Sequence, residues 1–165
     1  VLQGAARAQV ATDAPMEIHP GRNRRHPAMI LDLLENEGVD PSRVVICHIE
    51  RTVGEFAELK SILDRGCFIE MDLFGVWWYP YALEFPFPSD SVRVHQIKKL
   101  VDAGYADRIL VSQDVCEKIH TYRFGGFGYA HILENIVPMM LQHGIASKNV
   151  HKVLVDNASR LLAFP

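Results

Sequence analysis

The sequence holds no CxxC pair, and its three cysteines, Cys47, Cys67 and Cys116, are widely spaced. That scarcity removes a thiolate zinc knuckle and a disulfide-stapled secreted domain from consideration, and it points to a reduced, cytoplasmic setting. No run of about 20 apolar residues is present, so no segment reads as a membrane-spanning helix. A basic surplus is missing too. Seventeen Lys and Arg stand against 20 Asp and Glu, for a net charge of −3, which argues against a nucleic-acid or anionic-lipid partner. The one basic run, Arg22, Arg24 and Arg25, is too short to reverse that. What is there, 48% hydrophobic and 22% charged residues, is the composition of an ordinary globular domain.

Short β-branched runs alternate with helical spacing. Met16-Glu17-Ile18, Arg43-Val44-Val45-Ile46-Cys47, Cys67-Phe68-Ile69-Glu70-Met71 and Arg108-Ile109-Leu110-Val111-Ser112 read as four strands. The continuous apolar character of the later ones fits strands buried on both faces. Between and after them, apolar residues at helical intervals predict helices over 27–37, 55–64, 89–103, 129–143 and 147–162. Gly38, Gly66 and Gly104 close the first three, in the position that favours glycine. Ser147 suits the N-cap of the last helix, and Pro138 should kink or interrupt the one before it. Residues 1–12, Ala-rich and without an initiating Met, read as the middle of a helix. The alternation implies an α/β fold with a parallel sheet, either doubly wound or part of an eight-unit barrel.

Three of the four strands end in a good metal ligand: His19, His48 and Asp114. The third strand ends at Asp72. In parallel α/β folds the C-terminal strand ends gather around one site, so residues far apart in sequence converge there. Imidazole nitrogen and carboxylate oxygen suit zinc, and manganese or cobalt less selectively. A metal at that place would activate water, with Asp114 accepting its proton. A single His after a strand is more often a hydrogen-bonded structural residue than a ligand, and Asp114 alone could cap a helix or turn; the argument rests on their recurrence at successive strand ends. The remaining histidines, His26, His95, His120, His131, His143 and His151, fall in helices or loops and are expected to be solvated or capping.

His19-Pro20-Gly21-Arg22, Cys47-His48-Ile49-Glu50-Arg51-Thr52, Met71-Asp72-Leu73-Phe74-Gly75, Ser112-Gln113-Asp114 and Gly125-Gly126-Phe127-Gly128-Tyr129 occur in order and in register. Together they resemble the phosphotriesterase family of the amidohydrolase superfamily, above all its phosphotriesterase-related branch. The resemblance implies the C-terminal half of a (β/α)8 TIM barrel, with residues 1–165 forming the fifth to eighth strand–helix units. It implies a binuclear metal centre in the full-length parent. His19 and His48 would hold one metal, and Asp114 would hold the other and act on the bridging hydroxide. Asp72 would be a supporting residue rather than a ligand. The family's ligands on its first and fourth strands have no counterpart in the sequence and would precede residue 1, so the polypeptide reads as a fragment. A half barrel leaves two sheet edges open, and the expectation is poor stability or a homodimer, with little activity.

The activities implied are hydrolysis of a phosphotriester, lactone, carboxylic ester or N-acyl amide of the N-acetyltaurine type. Arg22, three residues past His19, is a candidate substrate-binding residue, because a guanidinium grips carboxylate, sulfonate or phosphate oxygens in a fork; the substrate would then be a small anionic molecule. The aromatic stretch Gly75-Val76-Trp77-Trp78-Tyr79-Pro80-Tyr81 would roof the pocket or pack down on the barrel. The glycines at 125–128 lack the strand–GxGxxG–helix layout of a nucleotide site. Two rival readings are a non-catalytic remnant or interaction domain that keeps the half-barrel core, and an open-sheet domain that binds a small ligand.

Overall fold

A computed structural model describes residues 1–76 and 87–163. The aromatic stretch beginning at Trp77 therefore lies outside the described residues. Helix α1 (Leu2–Thr12) leads to strand β1 (Met16–Ile18), followed by α2 (His26–Asn36), β2 (Val44–Ile46), α3 (Phe56–Leu63), β3 (Phe68–Met71), α4 (Asp90–Asp102) and β4 (Ile109–Val111). Helices α5 (Val137–Gln142), α6 (Ser147–His151) and α7 (Asn157–Leu162) complete the chain. The four strands form one parallel sheet in the order β1-β2-β3-β4, so chain order and spatial order coincide.

Register explains the two faces. Ile18, Ile46, Ile69 and Ile109 stand side by side across the sheet. They pack with Leu31, Leu34, Leu59, Ile97, Leu100 and Met140 of the helices in one core. Each such side chain gains about 1.5–3 kcal/mol on leaving water. Alternation sends Glu17, Val45, Phe68, Glu70 and Leu110 to the other face. There Val45 and Phe68 meet Leu161 of α7, and Glu17 and Glu70 line a hollow of about 350 Å³. Arg43, just before β2, donates to the carbonyls of Asp13, Leu161 and Ala163. That single guanidinium fastens the end of α7 beneath β1 and β2.

Pro138 interrupts regular α geometry, as its position in the sequence leads one to expect, while two other details differ from the sequence reading. The backbone widens into a π turn over Ile132–Ile136, with the Val137 N–H reaching the Ile132 carbonyl, which accommodates a ring that would crowd a regular turn. Ser147 is the first residue of α6 rather than its cap; Ala146 occupies the cap and offers no side-chain hydrogen bond. Tyr129 likewise sits in a turn ahead of the helix that begins at His131. In contrast, Ser89 does cap α4, its Oγ accepting from the Val92 N–H at 3.4 Å.

Candidate metal centre

The C-terminal ends of β1 and β2 bring two imidazoles together. The Cys47 N–H donates to the Ile18 carbonyl at 3.1 Å, which prolongs the ladder by one residue and sets the β2 end beside His19. His48 then leaves β2 with a left-handed backbone (φ 50°), a conformation that costs a non-glycine residue about 1–2 kcal/mol. Asp72, buried at the end of β3, holds it there. Both carboxylate oxygens accept the His48 backbone N–H at 3.1 Å, and Oδ1 takes Nδ1 of the ring at 2.8 Å.

Protons can be assigned around these rings from their partners. Asp72 is an acceptor, so His48 carries its proton on Nδ1 and leaves a lone pair on Nε2. That Nε2 lies 2.9 Å from Nδ1 of His19, and the rings meet edge to face with centroids 4.4 Å apart. On its far side, Nε2 of His19 accepts from Nη2 of Arg51 at 2.8 Å. Burial, then the neighbouring His48 and the Arg51 charge, hold the His19 pKa below its usual value against the pull of Asp114 and Asp72. The imidazole is therefore neutral at neutral pH, the form that binds metals. Cys47 stands within the same group: its Sγ, with one nitrogen each from His19 and His48, forms a cluster of donor atoms no more than 4.8 Å apart. Burial and the Asp72 charge push the Cys47 thiol up, so it remains protonated.

The other predicted residues sit nearby but are less tightly drawn in. Asp114 ends β4 with a second left-handed backbone (φ 44°). With His19, Arg22, Arg51, Val76 and Phe87, it lines a cavity of about 230 Å³. Its carboxylate does not join the compact donor group found among the described residues. Arg22 lies on the same wall. Arg51 was not singled out from sequence, although its place three residues past a strand-end His mirrors that of Arg22.

Behind the cavity wall runs a buried ionic network that sequence reasoning also missed. Arg93 of α4 is fully buried. It donates from Nε to Glu50 at 3.2 Å, from Nη1 to Asp90 at 2.8 Å and from Nη2 to the Val76 carbonyl at 2.7 Å. Glu50 also accepts the Leu73 N–H at 2.9 Å, and Asp90 accepts the Gly75 N–H at 2.9 Å. Burial and the Asp72 charge push the Glu50 carboxyl up, while Arg93 pulls it back. His131 corrects an expectation: it is buried, not solvated. Its Nε2 donates to Asp90 at 2.7 Å, its Nδ1 faces Asn135 at 3.1 Å, and its ring stacks on Phe127. The segments following β2, β3 and β4 are thus tied to one another through α4.

Known proteins place this arrangement. The model of the Phosphotriesterase family matches residues 1–162. The chain belongs to the phosphotriesterase family. Among curated members it is 44% identical to an N-acetyltaurine hydrolase from Tetraodon nigroviridis, over 99% of this chain and 48% of that protein. It is 40% identical to the human N-acetyltaurine hydrolase, with the same coverage. Among solved structures, a resiniferatoxin-binding protein from Rhodobacter sphaeroides superposes with a TM-score of 0.92 at 34% identity, over 99% of this chain and 47% of that one. The phosphotriesterase homology protein from Escherichia coli, complexed with phosphate in its active site, gives 0.87 at 26% identity, over 99% and 53%. The chain thus spans about half the length of the relatives it matches, and its four strand–helix units are half of the phosphotriesterase-family TIM barrel.

The phosphotriesterase family is one of metal-dependent hydrolases, and the residues present fit that requirement. Nδ1 of His19 and Nε2 of His48 face one another, both can present lone pairs, and the outer nitrogen of His48 is anchored on a carboxylate. Such a carboxylate–imidazole pair is the usual backing of a metal-binding histidine.

Proposed function

We propose that this chain is the part of a metal-dependent hydrolase that carries half of its metal centre, and that the whole protein cleaves an N-acyl amide of a small anionic amine, of the N-acetyltaurine kind. The observation that carries the reading is the 2.9 Å approach of His19 Nδ1 to His48 Nε2, with Asp72 behind His48. The four units correspond to the fifth to eighth of the barrel. A divalent metal, zinc by this donor set, would supply activation of water at neutral pH and polarisation of the acyl oxygen.

The chain's own residues divide the remaining work. His19 and His48 would hold one metal, with Asp72 fixing the ring of His48 in the tautomer that leaves Nε2 free. Asp114, turned toward the cavity by its left-handed backbone, would hold the other metal of a binuclear centre and accept the proton of the attacking water. Arg22 offers a guanidinium to the anionic end of the substrate from the same cavity wall. The substrate class is supported by the names of the similar curated proteins and by the phosphate in the active site of the Escherichia coli protein. Three free thiols, two of them buried, suit a reducing, cytoplasmic compartment.

Elemental analysis of the purified protein beside a His19→Ala/His48→Ala variant tests this reading, together with an assay for taurine released from N-acetyltaurine. Bound zinc that disappears in the variant is the expected result. Zinc retained by the variant, or none in either sample, would sink it.

A further inference from the structure

The contact between Arg51 and His19 is incompatible with a metal on the other side of that ring. Neutral imidazole has one N–H and one lone pair. As described, His19 donates from Nδ1 toward His48 and accepts from Arg51 at Nε2. If Nδ1 supplies its lone pair to a metal, the proton must move to Nε2. Two donors, His19 Nε2–H and the Arg51 guanidinium, would then point at each other across 2.8 Å. Repulsion between donors either swings Arg51 aside or calls for an acceptor between them.

Arg51 is well placed to receive such an acceptor. Among the described residues its only side-chain hydrogen bond is the one to His19, and its Nε is buried without a partner. It shares the 230 Å³ cavity with Arg22, and the two positive charges act on one another: after burial, Arg22 is the largest influence lowering the Arg51 pKa. Arginine stays charged in such surroundings. Asp114 and Glu117 line the same cavity; with the Asp114 charge taken up by a metal, the two guanidinium groups favour an oxyanion over a neutral group.

We propose that Arg51 is an anion-binding residue released by metal loading: with His19 Nδ1 committed to the metal, a sulfonate or carboxylate oxygen of the ligand bridges His19 Nε2–H and the Arg51 guanidinium. The inference rests on the metal-centre reading above and adds to it a second anion-binding residue and a coupling. Metal and anion each favour the same tautomer of His19, so each strengthens binding of the other, reciprocally.

The experiment titrates propane-1-sulfonate, and the uncharged methyl propyl sulfone as control, into zinc-loaded and chelator-stripped protein by calorimetry, with zinc content measured in every sample. The native protein, Arg51→Met and Arg51→Lys are compared, each checked by thermal melting. Zinc is expected to tighten sulfonate binding by about tenfold or more, the worth of one charge-assisted hydrogen bond. Arg51→Met should lose that gain while still holding zinc. Arg51→Lys, which keeps the charge without the fork, should retain part of it. The sulfone should bind all samples alike. Sulfonate affinity that is equal in zinc-loaded native protein and Arg51→Met overturns this proposal alone. A native protein that holds no zinc overturns the metal-centre reading and this proposal with it.

Discussion

Asp72 grips His48 twice, at the backbone N–H through both carboxylate oxygens and at ring Nδ1 through Oδ1 at 2.8 Å. One carboxylate therefore fixes the strained turn at the end of β2 and the tautomer of the ring that leaves it. Loss of a carboxylate behind a metal-binding imidazole costs about 10–100-fold in metal affinity. Zinc titration of Asp72→Ala is expected to show a loss in that range, and Asp72→Asn a smaller one, because the amide oxygen can still accept one bond. Unchanged zinc affinity in Asp72→Ala would remove Asp72 from the site.

Arg93 is the hub of the buried network, and both it and Glu50 have fully buried side chains. Removing one member of such a pair leaves a lone buried charge, a loss of about 3–5 kcal/mol. Arg93→Met should unfold at markedly lower urea than the native protein. The double variant Glu50→Gln/Arg93→Met should recover part of the loss, since a neutral amide replaces the stranded carboxylate and still accepts the Leu73 N–H. A double variant weaker than the single would contradict this pairing.

Glu70 makes stability depend on pH in a direction opposite to that of most carboxylates. Burial, then the charges of Asp72 and Glu17, push its carboxyl up from an ordinary 4.5 to about 8. Between those values the folded chain keeps a proton that the unfolded chain has released, so unfolding free energy falls as pH rises. The contribution is complete below about pH 4.5 and is lost as pH passes 8. Glu50, pushed the same way, adds the same sign. Urea midpoints measured from acid to alkaline pH should decline through this window, and Glu70→Gln should flatten the decline. A Glu70→Gln profile parallel to that of the native protein would refute the assignment.

Gly126 passes so close to the chain that a side chain has no room. A Cβ there would come within 2.2 Å of the His120 carbonyl oxygen, backbone that cannot swing away. Gly126 also lines a cavity of about 230 Å³ with Phe74, Val76, Phe124 and Phe127. Gly126→Ala should destabilise by about 1–3 kcal/mol, the usual cost of forced overpacking, read as a lowered melting temperature. Gly125→Ala is a contrasting control: a Cβ at Gly125 meets nothing within 4 Å, and the penalty there arises from φ 92° alone.

The sheet could be read from sequence because its strands carry their own signal. Val44-Val45-Ile46 and Phe68-Ile69 are continuous apolar runs, and Gly38, Gly66 and Gly104, all with positive φ, mark the ends of the helices between strands. His19 and His48 were legible for the same reason, as polar residues directly after such runs. Asp114 was legible as a strand-end residue lining the cavity, but not in its distance from the other donors, which depends on how the segment after β4 lies. Arg93 was hidden by its type. It occupies the apolar phase of α4 with Ile97 and Leu100, and only that phase betrays a buried cation whose partners come from three separate segments. Arg51 and Cys47 depend on register: His19 and Cys47 become neighbours only once Ile18 is aligned with Ile46.

Coincidence of chain order with spatial order has an evolutionary consequence. Each connection joins adjacent strands, so a segment after any strand can lengthen, shorten or change composition without rerouting the chain. Selection can retune the cavity from the stretches beyond residues 72 and 114 without moving the strand ends, whose positions the sheet register fixes. Swaps of those stretches between relatives would therefore exchange preference for the ligand while leaving His19 and His48 in place.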